Sequence, residues 1–242
     1  MKSLKVITLT LVTTLSIYFV QAQTVEELQK KYFDALGGKA KLATLKNMYQ
    51  ETTMEIMTMQ VPSKMWIVFN EAMRQEVEVQ GQKIVTFVGK DSGWTINPLA
   101  GASTPQPLPG TAVKGYAAVL TPGGEFGSFK EKGYKVNVEG KEDIDGKPAY
   151  KIKLSKDSAD SFFFIDVATS YLVRSSMKTD AMGQQVEIVT TFSDYKKTPE
   201  GFVFPYTAVI SNPMMGEIKA TTTKLEVNKT VDTKELQQVP TN

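Results

Sequence analysis

The side chains that most often carry chemistry are thinly supplied in this sequence. Its 242 residues include no histidine and no cysteine. That removes Ser-His and Cys-His nucleophilic sites, histidine acid–base catalysis and histidine-containing zinc or haem sites. Carboxylates, lysines, tyrosines and serines remain, and none falls into a recognisable motif. Asp157, Asp160 and Asp166 are close in sequence, but their spacing is not that of a calcium loop, and a solvated hairpin tip explains them. Acidic residues fall mostly at hairpin ends and on polar strand faces, so no facing carboxylate pair for acid–base work is expected. The expectation is a non-enzymatic protein with no catalytic residue, no metal and no cofactor.

The chemistry left is apolar recognition. Met54, Ile56, Trp66, Phe69, Phe87, Trp94, Ile96, Tyr116, Leu120, Phe162, Phe164, Phe204 and Met214 form a soft, aromatic and methionine-rich set. Methionine is flexible and polarizable, so such a surface suits greasy ligands of variable shape. Taken singly, residues of these types at strand spacing are more often plain core. Taken together, they are the candidate lining of a hydrophobic cavity.

Two kinds of element must position them. Residues 24–36, TVEELQKKYFDAL, predict a helix: Thr24 and Glu27 make a capping box, Leu28, Tyr32 and Leu36 share a face, and Gly37-Gly38 ends it. KAKLATLKNM (39–48) reads as a short second helix with Leu42, Leu45 and Met48 inward. From Met48 onward the period changes to two. Turn signals at Gln80-Gly81, Asp145-Gly146, Met182-Gly183, Glu200-Gly201 and Met215-Gly216 divide the chain into an antiparallel meander of about eleven strands. Alternation such as Tyr150, Ile152 and Leu154 against Lys151 and Lys153 gives one dry face and one wet face. WIVF (66–69) and FFFI (162–165) are apolar on both sides, as strands covered by helices would be.

The strands are interrupted from about residue 98 to 133. Trp94 and Ile96 read as the end of a strand at the cavity mouth, and Asn97-Pro98 stops pairing because proline cannot donate to the ladder. An extended loop then leads to a short helix, TAVKGYAAVL (111–120), with Ala112, Tyr116, Val119 and Leu120 inward. TPGGEFGSF (121–129) follows, glycine-rich and mobile in character. A long insertion of this kind in a compact domain fits a lid or binding loop. The fold class is therefore α+β: one strongly curved antiparallel sheet, an open half-barrel, with covering helices. Two N-terminal helices and one central helix are too little to plug such a sheet tightly, which leaves room for a cavity.

The N-terminus has a different purpose. Lys2 and Lys5 precede an apolar run from Val6 to Val20, and Val20-Gln21-Ala22 offers small residues for cleavage. This is the pattern of a secretory signal peptide, cut after Ala22, and the run is too short and threonine-rich to span a bilayer comfortably. Residues 23–242 then form a single exported or periplasmic domain. Losing those two lysines brings the 28 basic residues level with the 26 acidic ones. A neutral chain with scattered charge is a poor nucleic-acid binder. With no cysteine, the exported chain relies on its core rather than on disulfides, and carries no lipid thioether of its own.

The order of elements resembles the LolA/LolB family of bacterial lipoprotein carriers. VTFVGKDSGWTINP (85–98) is similar to that family's strand, turn and strand ending in an aromatic residue and a proline. TAVKGYAAVL occupies the place of the family's lid helix. AYKIKLSKDSADSFFFID, YLVRSSMKTDAMGQQVEIVTTFSDY and FSDYKKTPEGFVFPYTAVI are similar to its second half. The resemblance implies a half-barrel whose cavity shields lipid or lipoprotein acyl chains, with inner- or outer-membrane lipoprotein receptors as partners and a monomeric state. It departs from the family where the carriers have an early-strand arginine: residues 68–71 read VFNE. The alternative is a structural module of the cell envelope with a filled cavity and no ligand.

Overall fold

The computed structural model describes residues 23–116, 119–157, 159–181, 184–213 and 216–240. The signal-peptide segment, and Met214 of the candidate lining, lie outside the described residues.

Thirteen strands form one antiparallel sheet. The first meander is β1 (Asn47–Ile56), β2 (Met59–Val68), β3 (Ala72–Val79), β4 (Gln82–Val88), β5 (Gly93–Asn97) and β6 (Ala102–Pro107). The second is β7 (Lys135–Ile144), β8 (Lys147–Lys156), β9 (Ala159–Asp166), β10 (Leu172–Ala181), β11 (Gln184–Lys197), β12 (Val203–Asn212) and β13 (Gly216–Val227). Pairing of β1 with β13 joins the two, giving the order β6-β5-β4-β3-β2-β1-β13-β12-β11-β10-β9-β8-β7. The sheet is not closed, so β6 and β7 are its two edges. Gln80-Gly81 and Asp145-Gly146 both take positive φ, as tight two-residue hairpin turns require.

The count is thirteen rather than about eleven, and β6 corrects one expectation directly. Residues 98–109 are not a plain extended loop: a 3-10 turn (Pro98–Ala100) leads into β6. Pro105 and Pro107 argue against a strand only where both edges must pair, and β6 pairs on one side. The opposite edge, β7, carries Lys135, Glu139, Lys141, Glu142 and Asp143, exposed, a usual defence against edge-to-edge pairing.

Among the described residues, five α-helices accompany the sheet. Helix α1 (Val25–Ala35) begins with the expected capping box, Glu27 N–H to Thr24 Oγ1 and Thr24 N–H to Glu27 Oε2, each 3.2 Å. It buries Leu28, Tyr32 and Phe33. Helix α2 (Lys39–Leu42) is shorter than expected: Lys46 N–H turns to Asn228 Oδ1 at 2.7 Å, and Met48 already belongs to β1. Leu42, Leu45 and Met48 are nonetheless buried.

The connection between the two sheet edges crosses the helix-covered end. It contains α3 (Gly110–Gly115) and α4 (Gly124–Gly127). Val113 and Leu120 are buried while Val119 is 37% exposed, so Val113 takes the inward place expected of Val119. The glycine-rich stretch is not a mobile tip. Phe126 is 1% exposed and stacks near Phe129 and Phe163 at 6.1 and 6.5 Å. Gly127 is closely faced: a Cβ there would sit 3.1 Å from the Phe33 ring, which would have to shift by a few tenths of an ångström.

One continuous apolar core joins α1, α2 and this connection to Met48, Ile67, Met73 and Val88 of the first meander and to Ile152, Phe163, Ile165 and Val227 of the second. In a flat sheet β4 and β8 would lie about 43 Å apart, nine strand spacings. Sharing one core with the same small helices requires the sheet to curl around them. The last helix, α5 (Thr233–Gln237), packs on the other face, against β3.

Candidate functional site

The pairing register assigns every strand position to a face. Taking the helix-covered face as inner, Met48 faces Ile67, which faces Met73, which faces Val88. Moving away from the helices, the inner positions are Gln50, Thr52, Met54 and Ile56 on β1, Val61, Ser63 and Met65 on β2, Gln75 and Val77 on β3, and Ile84 and Thr86 on β4. Across the β1–β13 seam they continue as Leu225, Thr222, Ala220 and Ile218, then Ala208 and Ile210, then Thr190 and Ile188, then Ser175 and Met177. None of these side chains is charged.

The charged side chains of these strands lie on the opposite face. Glu51, Glu55, Lys64, Glu76, Glu78, Lys83, Lys178, Glu187, Lys219 and Glu226 all point there. Period-two alternation produces two surfaces of opposite character from one set of strands.

The inner face has two parts. Near the helices it is packed solid with the core side chains. Beyond them no helix of the described residues lies over it, and Gln50, Met54, Ile56, Gln75, Ile84, Ile210 and Ile218 are half-exposed while Val61 and Ser63 are buried between them. Met59 and Met177 stand out at the far rim, and Met57, at the β1–β2 turn, is 86% exposed. This open trough is the candidate site.

The structure divides the expected lining. Met54 and Ile56 lie in the trough. Phe69 and Leu120 are buried in the main core at the covered end, with Tyr116 and Phe204 half-buried against it. The Asn70 N–H donates to the Leu120 carbonyl at 2.8 Å, tying the crossing connection to the β2–β3 turn.

Trp66, Phe87, Trp94 and Ile96 are on the outer face, as are Phe162 and Phe164. They do not line a shared cavity with Met54. Trp66, Phe87 and Trp94 instead form a transverse row, Tyr49–Trp66–Arg74–Phe87–Trp94, one residue from each of five neighbouring strands. Leu236 of helix α5 and Val231, just before the helix, cover this row. Phe162 and Phe164 lie under Lys151, 5.1 and 5.8 Å from their ring centres. Where both strand faces are apolar, the hydrophobic pattern does not say which face is which.

Two further hollows open on the outer face. One of about 400 Å³ lies beside the C-terminal segment, lined by Trp66, Arg74, Glu76, Val231 and Leu236. One of about 780 Å³ lies at the turn end of β8–β11 around Tyr171 and Tyr195, whose rings stack 4.1 Å apart. Its deepest carboxylate, Asp166, accepts from the backbone N–H groups of Ala168 and Thr169 and from the Thr169 hydroxyl. Burial pushes the Asp166 carboxyl up, but these donors together hold it below the usual value. It is a turn-forming group, with all three donors meeting Oδ1. Among the described residues, no group of three acidic side chains stands ready to hold a metal ion, and no helix is long and apolar enough to cross a membrane.

No protein-family model and no curated protein matches the chain. Its fold does match solved structures. A structure described as an outer membrane lipoprotein-sorting protein domain from Vibrio parahaemolyticus superposes with a TM-score of 0.58 at 12% identity, over 88% of this chain and 97% of that one. A LolA superfamily protein from Nitrosomonas europaea gives 0.57 at 9% identity, over 87% and 96%. A DUF1329 family protein from Desulfovibrio piger gives 0.58 at 12% identity, over 86% and 95%. The architecture is that of the LolA-like curved sheet.

Proposed function

We propose that the protein is a non-enzymatic carrier or sensor that holds the acyl chains of lipoproteins, or of other amphiphiles, against the open part of its inner sheet face. The observation that carries this reading is the uncharged inner face. Strands whose open inner surface served only to meet water would gain nothing by keeping the charges of β1 to β4, β10 and β13 on the other side. The half-exposed Met, Ile and Val side chains there suit acyl chains, which need adaptable apolar contact rather than a fixed shape. The similarity to a lipoprotein-sorting domain agrees with this reading. So does the signal-like N-terminus, which would place residues 23–242 in the periplasm or outside the cell. Membrane lipoprotein receptors would be its partners, and a monomer its working form.

A second reading rests on the covered end. Phe126, Phe129, Phe33 and Tyr32 fill the space between helices and sheet, as they would in an envelope module without a ligand.

Native mass spectrometry of protein purified from the periplasm, followed by organic extraction, separates the two. A co-purifying lipid or acylated peptide is expected, together with uptake of the apolar fluorophore N-phenyl-1-naphthylamine. A clean apo mass with no fluorophore uptake would leave the filled module as the correct description.

A further inference from the structure

On β1 to β5 and β13 the inner face is banded as well as uncharged. The row nearest the helices, Met48–Ile67–Met73–Val88, is wholly apolar. The rows beyond it carry a belt of neutral hydrogen-bonding groups: Gln50, Ser63, Gln75, Thr86, Thr95 and Thr222. Farther out the face is apolar again, with Met54, Val61, Ile56 and Ile218. The belt is internally linked. Gln50 Nε2 donates to Thr222 Oγ1 at 2.6 Å and Gln75 Nε2 to Ser63 Oγ at 3.3 Å, and the Thr86 and Thr95 hydroxyls are 3.2 Å apart.

These bonds leave capacity unused. A carboxamide has two N–H donors and a carbonyl acceptor. Among the described residues, Gln50 and Gln75 each use one donor and neither carbonyl. Both side chains are half-exposed toward the trough. A purely apolar chain would leave these groups without partners as it displaced their water. An ionised carboxylate or phosphate would meet no counter-charge here, because the charged side chains of these strands lie on the other face. The group that satisfies the belt is neutral and can both accept and donate, or accept at several points.

We infer that the trough selects amphiphiles whose polar part beside the acyl chain is uncharged, such as glycerol esters or amides, and discriminates against free fatty acids. This rests on the carrier reading above and narrows its ligand class. The acyl chain lies along the apolar rows, and the ester, amide or hydroxyl groups meet Gln50, Gln75 and Thr86.

The test is displacement of bound N-phenyl-1-naphthylamine by 1-palmitoylglycerol and by palmitate at pH 8, both below their micelle concentrations. 1-Palmitoylglycerol is expected to act at a concentration at least about tenfold lower, given the cost of an uncompensated charge. Palmitate should gain ground as pH falls and its carboxylate is protonated. In the Gln50→Leu/Gln75→Leu variant the preference should fall to near unity. Thr86→Val is a milder substitution that should reduce the preference in part. Equal competition by palmitate and 1-palmitoylglycerol at pH 8 would overturn the selectivity while leaving the carrier reading intact. Failure of the native protein to bind the fluorophore at all would overturn both.

Discussion

Arg74 holds the C-terminal end of the chain: its Nη1 donates to the main-chain oxygen of Gln238 at 2.7 Å and to that of Leu236 at 3.0 Å. The same guanidinium donates from Nε to Glu76 at 2.9 Å and stands 6.0 Å from the Trp94 ring centre. Only 8% of Arg74 is exposed. One side chain thus fastens α5 over the aromatic row. Lysine could keep the charge but not the fork of donors.

Arg74→Ala should release the C-terminal segment and lower stability by about 2–4 kcal/mol, since it removes three charge-assisted bonds and leaves Glu76 with Lys83 alone. Arg74→Lys should fall between the two. Hydrogen exchange at the Leu236 amide, which closes the α5 turn onto Asp232, reads the effect. Native-like protection there in Arg74→Ala would show that the apolar contact of Leu236 holds the segment unaided.

The same cluster sets an acid limit. Burial pushes the Glu76 carboxyl up, but hydrogen bonds and charge from Arg74 and Lys83 outweigh it and hold the folded value below 4.5. A carboxylate depressed in the folded state adds stability above its unfolded pKa and loses it as pH falls through the folded value. Stability should therefore be level near neutrality and decline below about pH 4.5. Glu76→Gln should flatten part of that decline in urea titrations at pH 3 to 7. An unchanged acid limb would assign it to other depressed carboxylates, such as Asp166.

Strand alternation, the α1 cap and the hairpin turns are legible in the sequence because each depends on residues close in the chain. The faces were harder. Trp66 and Ile67 are both apolar, as are Phe163 and Phe164, so a period-two pattern does not orient them. Orientation came from β1, where Met48 follows the helices directly and must face them. Helix α5 did have a local signal: Asp232 and Glu235 stand at capping-box spacing, with Val231 and Leu236 as a hydrophobic staple. The role of TPGGEFGSF was hidden because its glycines suggest mobility, whereas the close approach of Phe33 explains at least Gly127.

Phe126 separates core from site. Phe126→Ala should cost about 3–5 kcal/mol, as for other fully buried aromatics, visible as a lower urea midpoint. Fluorophore uptake should stay near the native level below that midpoint, because the trough lies beyond the packed end. If the variant instead takes up fluorophore that the native protein does not, the native protein is the filled module and the ligand occupies an engineered hole.

The uncharged inner face gives the most direct test of the trough. Ile56 and Ile218 pair across the β1–β13 seam near its open end, both half-exposed. Replacing either with Lys should cost about 1 kcal/mol or less, because the ammonium can reach water. The same substitution places a charge where an acyl chain would lie, and desolvating it should weaken fluorophore binding at least about tenfold. Glu55→Lys is the outer-face control, with a charge change of two units against one. It adds positive charge one residue away, on the outer face beside Lys219, and should leave binding unchanged. Equal loss in all three variants would point to long-range charge rather than occupation of the inner face.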